Sequence, residues 1–304
     1  MIRFHVVLLA CLCILRTHPA CAQYYYYNDK YYNGEWLVEL GGSAGIMNSL
    51  TDIGGKKGIG KKFIKDLNWK MTKPSFGLYV VATYKDVLGV RLEATFGSVQ
   101  SYDSILKKVA TSTFGRYERN LSFRSTIRDF QLVAELHPLF FKIYDEGKVP
   151  RWSPYVSAGI GYFVFNPQAQ LNNEWYYLHP LRTEGQGFAE YPNRKTYSLT
   201  QVNIPLGLGV KYEVSPWISA RLEFAYRILF TDYLDDASNE DYVDPALFST
   251  YLTPHNAAIA QQLADRRIST VINKQRGDPK DNDAFFTIQF KIGFTFRSMR
   301  RKQQ

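Results

Sequence analysis

The chain has 304 residues and a mass of 35.1 kDa, and its 37 Lys and Arg against 28 Asp and Glu give a formal charge of +9. Hydrophobic residues make up 45% of the chain and charged residues 21%, which excludes an intrinsically disordered protein. A mean hydropathy of −0.27 without long apolar runs excludes a bundle of membrane-spanning helices. The 22 Tyr, 20 Phe and 5 Trp fit a membrane barrel, whose two interfaces carry aromatic girdles.

The first 22 residues have the layout of a secretory signal peptide. Arg3 precedes an apolar run from Phe4 to Leu15, and Ala20-Cys21-Ala22 supplies a small-residue cleavage site. The run is about 12 residues long, whereas a spanning helix needs roughly 20, which disfavours an uncleaved anchor. The three residues before Cys21 are His18-Pro19-Ala20, with no Leu where a lipobox has one, which disfavours a lipoprotein acylated at that cysteine.

Cleavage after Ala22 would remove all three cysteines, so the mature chain would have no disulfide and no thiolate metal site. Loss of Arg3 and Arg16 would lower the charge from +9 to +7. We predict export through the Sec pathway to the outer membrane of a Gram-negative bacterium. The predicted segments are a signal peptide (1–22), a Tyr-rich periplasmic segment (23–34), the barrel (35–297) and a basic tail (298–304).

Apolar residues recur with a period of two in eight segments, which predicts β-strands. In the first, Trp36, Val38 and Leu40 alternate with Leu37 and Glu39. Each segment has about 10 to 14 residues, where a tilted membrane-spanning strand needs roughly 9 to 11. The alternation begins near Trp36, Phe76, Leu88, Asp129, Tyr155, Gln201, Ile218 and Phe286.

The breaks between these segments are alternately short and long. The long breaks span residues 49–73, 98–125, 166–196 and 231–283. Outer-membrane barrels have short periplasmic turns and longer outside loops. We therefore predict an all-β fold, an eight-stranded antiparallel transmembrane β-barrel with four long outside loops.

Charged residues occupy the face of each strand opposite the apolar one. A soluble barrel of lipocalin type would turn its apolar face inward and leave the strand charges on the wrong side. In the membrane orientation these charges meet inside as a neutralising network, because an unpaired buried charge is costly. We expect Arg91, Glu93, Arg221 and Glu223 to form one cluster. The full predicted network is Glu39, Arg91, Glu93, Asp129, Glu135, Arg221, Glu223 and Arg227.

The first long break contains Gly55 to Lys61, which comes close to the phosphate-binding pattern G-x-x-x-x-G-K-[ST]. The next residue, Lys62, has no hydroxyl for Mg²⁺, and no parallel βαβ unit follows, so we predict no nucleotide site. The compartment disfavours nucleic acid as a partner. A basic loop that meets anionic headgroups or sugar phosphates is the favoured interpretation. Its lysines are Lys56, Lys57, Lys61, Lys62, Lys65, Lys70 and Lys73.

The last long break opens with an acidic motif. Carboxylate oxygens of this kind are ligands for Ca²⁺, but the spacing differs from that of an EF-hand loop and the central Gly is missing. We therefore expect a solvated acidic loop and predict no metal site. The motif is Thr231, Asp232, Tyr233, Leu234, Asp235 and Asp236, followed by Glu240, Asp241 and Asp244.

Residues 255–272 follow Pro254 and are expected to form a helix. The helix would pack on its own loop, with docking of a partner or covering of the barrel mouth as alternatives. The histidines His137, His179 and His255 fall on separate segments, and H-E-x-x-H does not occur. Gly41-Gly42-Ser43-Ala44-Gly45 has the letters of G-x-S-x-G, but it falls inside the first alternating segment and not at a strand-to-helix turn. We predict no catalytic residue, no cofactor and no enzymatic activity.

Two loop segments and one strand segment carry a resemblance to a known family. Thr231 to Asp236, together with Gly277 to Asp283, resembles an outer-membrane barrel family of Bacteroidota that includes the PorG-type component of type IX secretion. Val202 to Tyr212 is similar to the sixth strand of such proteins. The resemblance implies an eight-stranded barrel with a structural role beside periplasmic secretion-ring lipoproteins. The large fourth loop departs from the family pattern.

The predicted function is that of a structural or interaction protein of the outer membrane, with a PorG-like role in type IX secretion implied by the resemblance. The alternative is a passive surface barrel of OmpA or OmpX type that binds lipopolysaccharide or an external ligand through basic loops. A small pore is a third possibility. Outer-membrane lipid and lipopolysaccharide are the predicted partners in either case.

Overall fold

The computed structural model describes residues 35–54, 68–112, 115–142, 144, 149–268, 275–279 and 281–297. The predicted signal peptide, the Tyr-rich segment 23–34, the tail 298–304 and the Gly55 to Lys61 pattern lie outside these residues.

Eight of the ten described strands close into an antiparallel barrel, each paired with its neighbour on both sides. The remaining two, β6 and β7, form a hairpin that extends from β4. The predicted eight-stranded barrel is confirmed. The strands are β1 (Trp36–Leu50), β2 (Lys73–Tyr84), β3 (Leu88–Tyr102), β4 (Ser122–Leu136), β5 (Trp152–Val164), β6 (Pro167–Leu171), β7 (Glu174–Tyr177), β8 (Thr200–Ser215), β9 (Ile218–Leu229) and β10 (Ala284–Arg297).

Short helices occur only in the connections between the described strands. The α-helices are α1 (Arg116–Arg119), α2 (Pro245–Tyr251) and α3 (Pro254–Ala264), and the 3-10 segments are Trp69–Met71, Asp103–Ser112, Pro138–Phe141 and His179–Leu181. None of the helices in the described residues is both long and apolar enough to cross a membrane.

The outward face of the barrel is an apolar belt. Leu78 and Ile160 are 64% and 68% exposed, while the inward neighbours of Leu78 and of the other belt residues are buried or half-buried. Exposed apolar side chains around a polar interior suit lipid rather than water. At the end with the short turns, Trp36, Trp152 and Trp217 are half exposed, as in an aromatic girdle.

The turns at this inner end are tight. Lys85 and Asp86 both have positive φ, as a type I′ turn requires, and the Val87 amide bonds to the Tyr84 carbonyl at 3.0 Å. At the outer end β3 and β4 run further than the periodicity predicts, and their pairing continues to Tyr102 opposite Ser122. The loop between β3 and β4 therefore begins beyond the point at which the predicted strands end.

The two largest outer loops fold into one lobe with its own hydrophobic core. Phe188 stacks on Tyr251 at 4.1 Å and meets Phe248 edge-on at 5.8 Å. Ile259 and Leu263 of α3 are buried in the same cluster, so this helix packs on its own loops.

The predicted helix 255–272 is wrong in its length. α3 ends at Ala264, and the backbone of Asp265 is extended. Arg267 bonds back to the Asp265 carboxylate at 2.9 Å, and the Ile268 amide bonds to the Glu118 carbonyl at 2.8 Å. These contacts hold the segment after Ala264 against the loop between β3 and β4, so the helix does not continue.

Candidate functional site

Eight charged side chains fill the middle of the barrel, and we call them the lumen network. Arg91 is fully buried, and its Nη1 lies 2.5 Å from Glu135 and 2.7 Å from Glu223. Its Nε lies 2.9 Å from Glu93. The network consists of Glu39, Arg91, Glu93, Glu135, Lys211, Arg221, Glu223 and Lys291.

Arg221 holds the other side of this network. Its guanidinium bonds to both oxygens of Glu39, at 2.8 and 2.9 Å, and to Glu135 at 2.9 Å. Bidentate pairs of this kind fix geometry as well as charge. The structure thus brings Arg91 and Arg221 onto one shared carboxylate, Glu135.

Lys291 and Lys211 complete the charge balance, although the sequence prediction did not include them. The Lys291 ammonium lies 2.7 Å from Glu93 and 2.9 Å from Glu223, and Lys211 lies 3.1 Å from Glu39. Both lysines stand at inward positions of their strands, so the strand parity was the signal that could have identified them. Four carboxylates therefore face four cations, and the lumen network is neutral.

The two remaining predicted residues, Asp129 and Arg227, form a separate pair further along the lumen. Their N–O distance is 3.1 Å, and Asn203 also donates to Asp129 at 2.9 Å. Arg227 donates to Thr287 at 2.6 Å as well. The predicted set of eight is thus divided into two groups, and no ion pair joins the described residues of one group to those of the other.

Beyond this pair, a buried aromatic cluster closes the outer part of the lumen. Phe163 packs on Phe285 at 5.7 Å and on Phe165 at 5.2 Å, and all three are buried. An eight-stranded barrel has an interior just wide enough for its side chains. Charged side chains followed by aromatic ones fill this interior.

A Ser–His–Glu chain lies near the inner end. His137 Nδ1 is 2.9 Å from Ser153 Oγ, and its Nε2 is 3.3 Å from Glu135. Catalysis would require access for an acyl substrate, but Ser153 is buried and the adjoining cavity measures only 40 Å³. Glu135 is already bound by two arginines. The chain is therefore part of the structural interior.

The acidic motif lies at the outer mouth, and its expected solvation is wrong. Asp232, Asp235 and Asp236 are 6%, 1% and 0% exposed. Leu234 lies in the hydrophobic cluster below, and Tyr233 stacks on Tyr197 at 4.5 Å. The outer loops fold over the motif, which removes it from water.

The motif meets carboxylates from two distant segments. The Asp283 amide donates to the Thr231 carbonyl at 3.1 Å, and the Leu234 amide donates to the Asp283 carboxylate at 2.9 Å. The Ile53 amide donates to Asp235 at 3.0 Å, which brings the end of β1 to the same place. We call Asp52, Asp232, Asp235 and Asp283 the acidic layer.

Two buried arginines beside the acidic layer are occupied by other groups. Arg119 donates to both oxygens of Asp103, at 2.8 and 3.0 Å, and to the carbonyls of Asp52 and Arg276. Arg276 pairs with Glu184, which also accepts the amides of Ser238 and Asn239 at 3.0 and 3.1 Å. These pairs leave no described Arg or Lys in an ion pair with the acidic layer, although the charge of Arg119 lowers the pKa values of Asp52 and Asp235.

Asp236, the last residue of the motif, is satisfied separately. It accepts a hydrogen bond from Tyr197 at 2.8 Å and others from Thr183 and Gln186. Burial raises its pKa to about 6, although the charge of Arg276 opposes the shift.

Burial also raises the pKa values within the acidic layer, and neighbouring carboxylates raise them further. Asp278 and Asp281 act on Asp52, whereas members of the layer act on the other three. The pKa of Asp232 rises to about 10, that of Asp235 to about 8 and that of Asp52 to about 6. The pKa of Asp283 is raised in the same way by burial and by its three neighbours. The hydrogen bonds from Ile53 to Asp235 and from Leu234 to Asp283 bring the segments that carry these carboxylates to one place.

Asp232 differs from its neighbours because neither of its carboxylate oxygens receives a hydrogen bond of normal geometry, and both are buried. The Ser238 hydroxyl is close enough to favour its charged form. No three His, Cys, Asp or Glu side chains in the described part of the chain stand ready at metal-ligating spacing.

The sequence matches one family over most of the barrel, from residue 39 to residue 249. The chain belongs to the family described as a domain of unknown function, DUF6089. The matched region begins in β1 and ends in α2, so it includes the acidic motif. No curated protein matches the chain significantly.

Among solved structures, the chain is similar to several outer-membrane barrels. Ail, the attachment invasion locus protein of Yersinia pestis, in complex with the heparin analogue sucrose octasulfate, has 10% identity over 86% of this chain and 99% of that chain, with a TM-score of 0.35. Neisserial surface protein A has 10% identity over 86% and 97%, with a TM-score of 0.36. OprG from Pseudomonas aeruginosa has 12% identity over 87% and 97%, with a TM-score of 0.34. Similarities at this level say nothing about what this DUF6089 protein binds.

Proposed function

We propose that this chain is a surface protein of the Gram-negative outer membrane that works as a structural or interaction protein and not as a channel. The observation that carries the proposal is the filled lumen beneath a folded lobe of long loops. The apolar belt and the alternation of short and long connections support the outer membrane as its location. The lobe places most of the structured non-barrel residues on the outer side.

The non-channel part is tested in planar lipid bilayers with the mature chain refolded from inclusion bodies. We expect no steady single-channel conductance, because the neutral lumen network and the aromatic cluster leave no continuous water path. A porin refolded in the same detergent serves as the positive control. Reproducible, steady openings of the wild-type chain would contradict the proposal.

The outer edge of the belt provides a basic rim that fits lipopolysaccharide phosphates. Arg128 is exposed and points outward from β4, two residues before the belt residue Phe130. Lys107 and Lys108 are exposed on the 3-10 segment that follows the neighbouring strand β3. Basic residues at this level attract anionic headgroups.

Lipopolysaccharide retention tests the rim. Each basic residue near an anionic surface contributes about 1 kcal/mol, so we expect Arg128→Gln to weaken lipid A binding about fivefold. Lys85→Gln is the matched control, because Lys85 lies in an inner turn at the opposite membrane face. Equal lipid A binding by Arg128→Gln and wild type would reject the proposal that the rim binds lipopolysaccharide. It would not affect the proposal that the protein is not a channel.

A PorG-like part in type IX secretion is the second candidate. It is supported by the packing of the two segments that carry the resemblance, since Thr231 bonds to Asp283 and Asn239 bonds to Gly277. Deletion of the gene is expected to block export of C-terminally tagged cargo, and re-expression should restore it. Detergent extracts should also contain a periplasmic ring lipoprotein bound to the chain. Normal export after deletion would reject this role.

A further inference from the structure

The outer mouth of the barrel holds more buried carboxyl groups than its described cations can pair with. Seven carboxylates and two buried arginines meet there, and the arginines are committed to Asp103 and Glu184. The carboxylates are Asp52, Asp103, Glu184, Asp232, Asp235, Asp236 and Asp283, of which all but the half-buried Asp52 are buried. Burying ionised carboxylates without a partner is strongly unfavourable.

The individual hydrogen bonds locate this excess charge. Asp103, Glu184 and Asp236 each accept several hydrogen bonds, so their charges are compensated. The acidic layer is different, because backbone amides supply most of its hydrogen bonds, and Asp232 has none of normal geometry. Asp232 is 94% buried, so water does not replace the missing partners.

We propose that the acidic layer binds a Ca²⁺ ion, with Asp232 as a direct ligand. Ca²⁺ takes six to eight oxygen ligands in flexible geometry, which carboxylates from three separate segments can provide. Mg²⁺ fits less well, because it demands near-ideal octahedral geometry and retains its waters. This inference does not depend on the proposed function.

Binding requires Asp232 to move toward the other carboxylates, because no three of the four within the described residues are yet spaced as metal ligands. Asp232 can rotate toward the ion without breaking a hydrogen bond of normal geometry. The amides of Ile53, Leu234 and Asp278 hold the other three carboxylates in place from behind. The ion would join the end of β1 to both ends of the loop between β9 and β10, and so fasten the outer lobe to the barrel.

The test uses the full mature chain, refolded in detergent free of lipopolysaccharide, because lipopolysaccharide itself binds Ca²⁺. Calorimetric titration measures the affinity for CaCl₂ after treatment with a chelator. Thermal unfolding is followed with Ca²⁺, with Mg²⁺ and with NaCl at matched ionic strength. We expect Ca²⁺ at 100 times its Kd to raise the melting temperature by about 5 °C, and Mg²⁺ to act more weakly.

Asp232→Asn is expected to lower the Ca²⁺ affinity at least tenfold while leaving the NaCl response unchanged. Asp241→Asn is the matched control, because Asp241 is an exposed carboxylate five residues beyond the motif. Should Asp232→Asn fail to fold, the half-buried Asp52→Asn replaces it. A Ca²⁺ response no larger than that to NaCl or Mg²⁺, or a wild-type Ca²⁺ response of Asp232→Asn, would overturn the proposal.

Discussion

The lumen network and the acidic layer are both buried and both built from charged side chains of distant strands and loops, but their charge balance differs. In the lumen network every carboxylate lies within 3.1 Å of an Arg or Lys nitrogen. In the acidic layer, described Arg and Lys residues pair with none of the four carboxylates, and backbone amides are the main donors. The first arrangement is complete without a ligand, whereas the second has capacity for a cation.

The largest loss of stability is expected when a central cation is removed from the lumen network. Arg221→Met would leave Glu39 and Glu135 with fewer partners in a buried site, and breaking a buried pair costs about 3–5 kcal/mol. We expect a loss at the upper end of this range in urea unfolding from lipid vesicles. A loss below about 1 kcal/mol would mean that water enters the lumen and screens the carboxylates.

Replacing a paired Asp in the lumen by Asn should destabilise the protein, whereas replacing an unpaired Asp of the acidic layer should not. Asp129→Asn takes the charge from the partner of Arg227 and should destabilise the barrel by about 1–3 kcal/mol. Asp232→Asn, measured in chelator, replaces a buried carboxyl group that has no hydrogen bond of normal geometry and should leave stability unchanged or raise it by about 1 kcal/mol. Both variants are compared with wild type by urea unfolding, and equal losses would contradict the contrast.

The smallest effect is expected at the edge of the lumen network. The Lys211 side chain is 14% exposed and makes one ion pair, with Glu39, which keeps its bidentate bonds to Arg221. Lys211→Met should therefore cost less than about 1 kcal/mol in the same assay. A cost equal to that of Arg221→Met would show that overall neutrality matters more than the individual bonds.

Strand parity predicted much of the lumen network because successive strand residues point to opposite faces. It placed Glu39, Arg91 and Arg221 inside, but it could not show which residues meet across the barrel. Lys291 pairs with Glu93, 198 residues earlier, and Asp129 and Arg227 separate from the main group. Those outcomes depend on the stagger of the strands, which a single-strand pattern does not contain.

Parts of the outer lobe had local signals that predict elements. Asp244 caps α2 and Pro245 occupies its first turn, a common helix start. Asn172 and Asn173 both have positive φ in the turn of the β6–β7 hairpin, as Asn tolerates. Neither signal shows that the two elements share a core, because Phe188 and Phe248 meet only through long-range packing.

The sequence by itself determined the barrel, the strand face that points to lipid and the charges that point inward, because a period of two assigns each side chain to lipid or lumen. Only the tertiary structure decided that the acidic motif is buried. Its carboxylates meet through contacts between residues as far apart as Ile53 and Asp235, and burial depends on how the loops close over them. Carboxylates that are expected to be solvated from the sequence become buried once the loops exclude water, and they then lack cationic partners among the described residues.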